Sequence, residues 1–136
     1  MKLPKRARSF MPPDAQKWLD FAREDLQMAK LAMRDALFNQ VCFHAQQAAE
    51  KTLKYLLVNA GILPPKTHKL GDLLGLSPVA VPDDLYRKLL LLDRFYIPTR
   101  YPDAVPGSLV SGMPDQADAE EALSSSMDLD VWALKL

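Results

Sequence analysis

The chain is short of the features that announce a chemistry. It has one cysteine, Cys42, so an internal disulfide is excluded, which fits a reducing compartment. Cys42 lies beside an apolar arc and reads as a packing residue rather than a nucleophile. There are two histidines, His44 and His68, and with one cysteine they supply no recognisable metal site. No cofactor is expected. The Gly-x-x-x-x-Gly-Lys-Ser/Thr cradle for phosphates is missing, since Gly71 and Gly75 bracket a short helical stretch without its lysine. No apolar run approaches the roughly 20 residues that span a bilayer. The N-terminal basic residues are not followed by an apolar segment, so they do not read as a secretory signal. A cytoplasmic protein without membrane contact is the expectation. Net charge is also lacking: seventeen basic and seventeen acidic residues balance. That argues against a dedicated nucleic-acid coat, while leaving room for a local basic patch. Strand alternation, internal repeats and low-complexity segments are absent from the pattern.

What is present is a 136-residue chain with 49% apolar residues, enough for one domain. Such a domain buries roughly two-thirds of the surface its unfolded form exposes. The organising stretch is Phe43-His44-Ala45-Gln46-Gln47-Ala48-Ala49-Glu50-Lys51, continued by Leu53-Lys54-Tyr55-Leu56-Leu57. At helical spacing, Val41, Ala45, Ala48, Ala49, Thr52, Leu53 and Leu56 form one broad core arc. Gln40, His44, Gln47, Lys51 and Lys54 line up opposite, each three or four residues from the next. The small core-facing residues permit close approach of a neighbouring helix. The opposite face is rich in donors and cations, and its default reading is a solvated surface; Glu50 can pair with Lys54 at i,i+4 and mute that cation.

Around this helix, residues 1–13 read as a flexible basic arm carrying Lys2, Lys5, Arg6 and Arg8, and residues 14–136 as the folded domain. Asp14 is a candidate N-cap for a first helix running to about Ala36, burying Trp18, Ala22, Leu26, Ala29 and Met33. Its polar side, with Lys17, Arg23, Glu24, Lys30 and Arg34, looks like ordinary surface. A turn near Leu37 to Gln40 leads into the organising helix, which ends at Asn59-Ala60-Gly61 where glycine can take the left-handed cap. Pro64-Pro65 forbids continuation. Thr67 is a candidate cap for a short helix through Leu74, closed by Gly75 and Pro78. Asp83 starts another helix whose Leu85, Leu89, Leu90 and Leu92 are expected to face the core. Phe95 to Pro114, with four prolines and two glycines, is a connection long enough to suggest a working loop. The last helix begins near Pro114-Asp115, with Asp118, Glu120 and Glu121 at its positive end. Leu123, Leu129, Trp132 and Leu134 are its larger apolar side chains. The fold class expected is all-α: an up-and-down bundle of four longer helices plus one short helix.

Trp18 with the Ala22–Leu26 helix, Phe43-His44-Ala45-Gln46-Gln47-Ala48-Ala49-Glu50-Lys51-x-x-Lys54, Thr67-His68-Lys69-Leu70 and Arg100-Tyr101-Pro102-Asp103 together resemble the HEPN family. The resemblance runs from about Asp14 to the C-terminus, in the family's order and spacing. It implies a four- or five-helix bundle that commonly dimerises. It also implies work beside a small nucleotidyltransferase, as in toxin–antitoxin pairs or fused regulatory domains. Many such proteins resemble metal-independent ribonucleases in which an arginine is followed four to six residues later by histidine. In that chemistry the histidine moves a proton and the arginine steadies the phosphate. Here Arg34 lies ten positions before His44, only lysine is close before His68, and no histidine follows Arg100. The usual ribonuclease constellation is therefore missing.

The reading that follows is a HEPN-type domain binding a nucleotide or RNA phosphate group and acting with a minimal nucleotidyltransferase, as a homodimer. Its candidate ligand-binding residues are Arg100, Tyr101, Gln47, Lys51, Lys54 and His44. Arginine offers a planar fork to phosphate oxygens, lysine a mobile point charge, and Tyr101 a face on which a base can stack. One alternative is a metal-independent ribonuclease with a rearranged site, using His44 or His68 with Arg100. Another is a structural adaptor whose polar face is a protein interface. For each residue a plainer role competes: Arg100 bracing its own loop against Asp103, His44 in a surface or dimer contact, His68 as a structural hydrogen-bonder beside Thr67.

Overall fold

Periodicity, caps and breakers divide the described residues into five helices. The computed structural model describes residues 13–96 and 113–136. Helix α1 spans Pro13–Arg34, α2 Phe38–Asn59, α3 Leu70–Leu76, α4 Asp83–Leu92 and α5 Gln116–Leu134, with a 3-10 turn at Asp93–Phe95. No strand occurs among the described residues. The expected basic arm and the Arg-Tyr-Pro-Asp segment lie outside them.

Helix α2 is the centre of the bundle, with α1 and α5 against it along their lengths and α3 and α4 at its sides. The expected core arc is buried throughout: Val41, Ala45, Ala48, Ala49, Thr52, Leu53 and Leu56. Most of it shares one cluster with Ala29 of α1, Leu70, Leu73 and Leu74 of α3, Leu85, Leu89 and Leu92 of α4, and Ala119, Ala122 and Leu129 of α5. Alanines on three helices carry no bulky side chain, so backbones approach closely and many weak dispersion contacts accumulate. In α1, Ala22, Leu26 and Ala29 are buried as expected, while Trp18 and Met33 are half-buried. Cys42 is wholly buried. Burial, with Asp118 nearby, pushes its thiol up to about 12, so it packs and does not react.

The bundle matches the expected count of four longer helices plus one short helix only roughly. Three helices have 22, 22 and 19 residues, whereas α4 has only 10 and α3 has 7. Asp93, at the end of α4, serves another element. Its two carboxylate oxygens accept from the Leu70 and Gly71 N–H groups at 2.7 and 3.1 Å, capping α3 from across the fold. The expected Thr67 cap is thereby replaced, and Thr67 instead donates to Asp72 at 2.7 Å and accepts from the Lys69 N–H at 3.2 Å. Helix α1 runs antiparallel to both of its long neighbours. His44 meets Asp25 while Lys54 meets Trp18, and Arg23 meets Asp130 while Met33 lies beside Leu123. So α2 and α5, packed together, run in the same sense.

Helix ends show which local signals were reliable. Gly61, at φ +80°, closes α2 in a Schellman motif: Ile62 N–H bonds Leu57 O at 2.8 Å and Gly61 N–H bonds Val58 O at 2.9 Å. Asp115 caps α5 in a capping box with Asp118. Helix α1 begins at Pro13, so Asp14 sits inside its first turn rather than ahead of it. The turn after α1 comes earlier than expected, and Phe38, Asn39 and Gln40 already belong to α2. Leu90 points outward, because Leu85, Leu89 and Leu92 occupy the inward arc and Leu90 falls off it. Leu134 is likewise exposed, and α5 buries Ala119, Ala122, Ser125, Ser126, Leu129 and Ala133 instead.

The same Schellman bonding ends α1, with Leu37 N–H to Ala32 O at 3.0 Å and Ala36 N–H to Met33 O at 3.2 Å. Here the left-handed position, at φ 57°, is held by Ala36. An alanine Cβ is strained in that conformation, and glycine is not. Ala36→Gly should therefore stabilise the protein by about 0.5–1 kcal/mol, after the added unfolded-chain entropy is offset. Urea unfolding read by circular dichroism checks this, and a lower midpoint would contradict it.

Candidate functional site

Beyond the exposed Gln40, the polar arc of α2 does not turn to open water. It faces α1, where Asp25 lies buried between its two anchors. His44 Nδ1 is 2.9 Å from Asp25 Oδ1, and Lys51 donates to the other oxygen, Oδ2. Residues 44 and 51 are seven apart, so both present to the same side of α2 and bracket one carboxylate. Burial alone would raise the Asp25 carboxyl, but the bonds from His44 and Lys51 outweigh it and hold it below its ordinary value.

One turn further along, Lys54 donates to Glu50 Oε2 at 3.1 Å, and its ammonium stands 5.2 Å from the Trp18 ring centroid. The two charged side chains are only 7% and 4% exposed. The second oxygen of Glu50 meets His68 Nδ1 at 3.0 Å. A carboxylate can only accept, so Nδ1 carries the proton and Nε2 is left as the outer nitrogen. The His68 side chain is 57% exposed, and its ring stacks on Tyr96 with centroids 4.9 Å apart and planes 10° from parallel. Gln46, fully buried, donates to the His68 carbonyl at 2.7 Å and accepts from Gln47 at 2.8 Å. Gln46 and Glu50 are four apart on α2 and hold His68 by its backbone and its ring at once.

Four of the candidate residues read from the sequence, His44, Gln47, Lys51 and Lys54, therefore sit in one seam between α1 and α2, and His68 joins it through Gln46 and Glu50. The expected open cation stripe is instead charge-compensated: each lysine is bonded to a carboxylate, Lys54 in the i,i+4 pairing with Glu50. Arg100 and Tyr101 lie outside the described residues. The residues that sequence reasoning passed over are Asp25, Gln46 and Tyr96. Asp25 carried no local signal, since its partners lie 19 and 26 positions away. Gln46 stood between the two arcs of α2, and only its spacing from Glu50 hinted at a shared task. Among the described residues no group of three metal-ligating side chains comes together. Chemically, the seam presents two imidazoles, each oriented by a carboxylate. A ring held in this way keeps a proton on the carboxylate side and presents its outer nitrogen as an acceptor.

The fold and seam define a class: a small helical domain with its polar groups gathered along its central helix. No described helix is long and apolar enough to cross a membrane. Residues 15–129 match the model of the HEPN domain, and the chain belongs to the HEPN family. It is similar to TT1696 from Thermus thermophilus, with 37% identity and a TM-score of 0.80, covering 89% of this chain and 96% of that one. It is also similar to ST0689, an archaeal HEPN homologue, with 29% identity and a TM-score of 0.72 over 89% of this chain and 95% of that one. A relative from Methanocaldococcus jannaschii, "Putative toxin MJ1304", is 25% identical over 122 residues, which is 82% of this chain and 80% of that protein.

The Asp25 seam has a pH signature. A carboxyl held below its unfolded value contributes stability that is fully present above about pH 4 and is lost as pH falls further, through the folded value. Asp25→Asn leaves Lys51 and His44 without their anion, and should cost about 1–3 kcal/mol at pH 7. The gap between wild type and variant should narrow below about pH 4. Urea melts at a series of pH values measure both; a gap independent of pH would refute the assignment.

Proposed function

We propose that this HEPN chain is the helical member of a toxin–antitoxin-like pair, working with a small nucleotidyltransferase and binding a nucleotide or RNA phosphate group. The observation that supports the reading is the exposed His68 ring, fixed by a buried carboxylate and stacked on Tyr96. Arg100 and Tyr101 follow Tyr96 four and five positions later in the sequence. In this reading Arg100 supplies the phosphate fork and Tyr101 a stacking face, beside the oriented His68 ring. Lys51 and Lys54 act from behind, by holding the carboxylates that orient the His44 and His68 imidazoles, and Gln47 by bonding Gln46. The relative named "Putative toxin MJ1304" supports the pairing. A homodimer belongs to the same reading, supported by the exposed Phe21, Met28 and Leu37 on and after α1.

Nucleotide titration followed by calorimetry tests the reading. Arg100→Glu should weaken binding at least tenfold with helical content unchanged; wild-type affinity in that variant would remove Arg100 from the site.

A second reading is favoured by one observation, the Glu50–His68 pair with its outer Nε2. That is the arrangement a general base needs, so a ribonuclease with a rearranged site is the competing function. The missing arginine-to-histidine spacing speaks against it. The purified protein should show no efficient RNA cleavage in EDTA. Cleavage that disappears in His68→Ala would make the enzyme reading the better one.

A further inference from the structure

The cations of α2 are compensated, which directs attention to cations that are not. Helix α1 carries Arg23, Gln27, Lys30 and Arg34 at the i, i+4, i+7, i+11 spacing that stacks side chains along one face. These four, with Leu26, Leu31 and Asp130 of α5, line a groove of about 370 Å³ between α1 and α5. Arg23 reaches Asp130 at 3.5 Å and offsets it. Among the described residues, neither Lys30 nor Arg34 is within ion-pair distance of a carboxylate, and both are exposed. The groove thus holds a surplus of positive charge in a chain whose net charge is zero. Two other grooves run the opposite way: one is lined by Asp83, Asp84 and Arg87, another by Glu120 and Asp128.

We infer that the α1–α5 groove is a nucleic-acid phosphate track, with Lys30 and Arg34 as its principal contacts. Arg34 offers a planar fork for two phosphate oxygens, Lys30 a mobile point charge, and Gln27 an amide donor between them. Leu26 forms a buried apolar wall and Leu31 an exposed one against which a ribose or base can rest. From Arg23 to Arg34 the face extends about 16 Å at 1.5 Å per residue, long enough for more than one phosphate of a strand. A single-stranded oligonucleotide therefore suits the groove better than a mononucleotide. The inference rests on the proposed phosphate-binding function but places strand contact on α1 and α5 rather than at His68. The sequence offered these residues only as ordinary surface, because their uncompensated state depends on which carboxylates the other helices bring near.

The test uses fluorescence anisotropy with labelled single-stranded RNA and, separately, single-stranded DNA of the same length, each over a range of salt. The groove variant Lys30→Gln/Arg34→Gln keeps good helix formers at exposed positions. It should weaken strand binding at least tenfold and flatten the dependence of log K on log salt by about 1.4, two phosphate contacts at about 0.7 each. The control Arg87→Gln/Lys88→Gln removes the same charge from α4 and should bind as wild type does. Tighter binding of RNA than of DNA would point to ribose contacts; equal binding would assign the groove to the phosphate backbone alone, and both agree with the inference. Equal losses in the two double variants, or none in either, would overturn the track while leaving nucleotide binding at Arg100 standing. A wild-type chain that binds neither strand nor nucleotide would overturn both.

Discussion

Burying the polar side of α2 is the constraint on which the rest of the structure depends. A helix packed by α1 on one side and by α5, α3 and α4 on others has little face left to hand its polar residues to water. Glu50 and Lys54 are nearly inaccessible, and an unpaired ion in such a place costs several kcal/mol. Each charge must therefore find its counter-charge inside the protein. Asp25 supplies one from α1, Glu50 supplies another from α2 itself, and His68 reaches in to take the remaining oxygen. The pairing also fixes how α1 lies on α2. A slip of one turn would move Asp25 about 5.4 Å along the axis and leave His44 or Lys51 without an anion.

The same economy of polar groups reaches the short elements. Helix α3 has seven residues, too few to be stable alone. It is held at its start by Asp93, in front by the Gln46 bond to the His68 carbonyl, and from below by Leu70, Leu73 and Leu74 in the core. Gly71 fits because a Cβ there would meet Leu90 Cδ2 at 3.3 Å, so α3 and α4 approach closely at this point. These contacts converge on His68 and Tyr96. The most exposed ring of the seam is therefore held from several sides at once.

Local signals carried a good deal of this architecture. The alternation of small and apolar residues along Val41–Leu56 identified the inward arc of α2, because burial on a helix repeats with the helical period. Gly61 and Asp115 announced helix ends through chemistry that acts within one turn. Ala36 did not, since alanine is the best helix former and does not mark a left-handed position as glycine does. The site was less legible for a related reason. Spacing places His44, Lys51 and Lys54 on one face but says nothing of what lies across from that face. A helix covered on both sides has the same sequence pattern as one half-exposed, provided its second neighbour brings matching charge. Asp25 was that match, and an aspartate on the first helix carries no mark of its partner.

Charge compensation then decides where an anion can be attracted. In a chain with equal numbers of both signs, a count of lysines and arginines along a helix is a poor guide to potential, because a cation with its own carboxylate presents little field to an incoming phosphate. By that criterion α2, whose polar arc stands out in the sequence, offers a phosphate less than α1 does. Lys51 and Lys54 serve as structural counter-ions, while Lys30 and Arg34 keep their charge for the surroundings. The division suits a small domain: the buried ions specify the packing, and the exposed surplus remains available for a partner that brings its own negative charge.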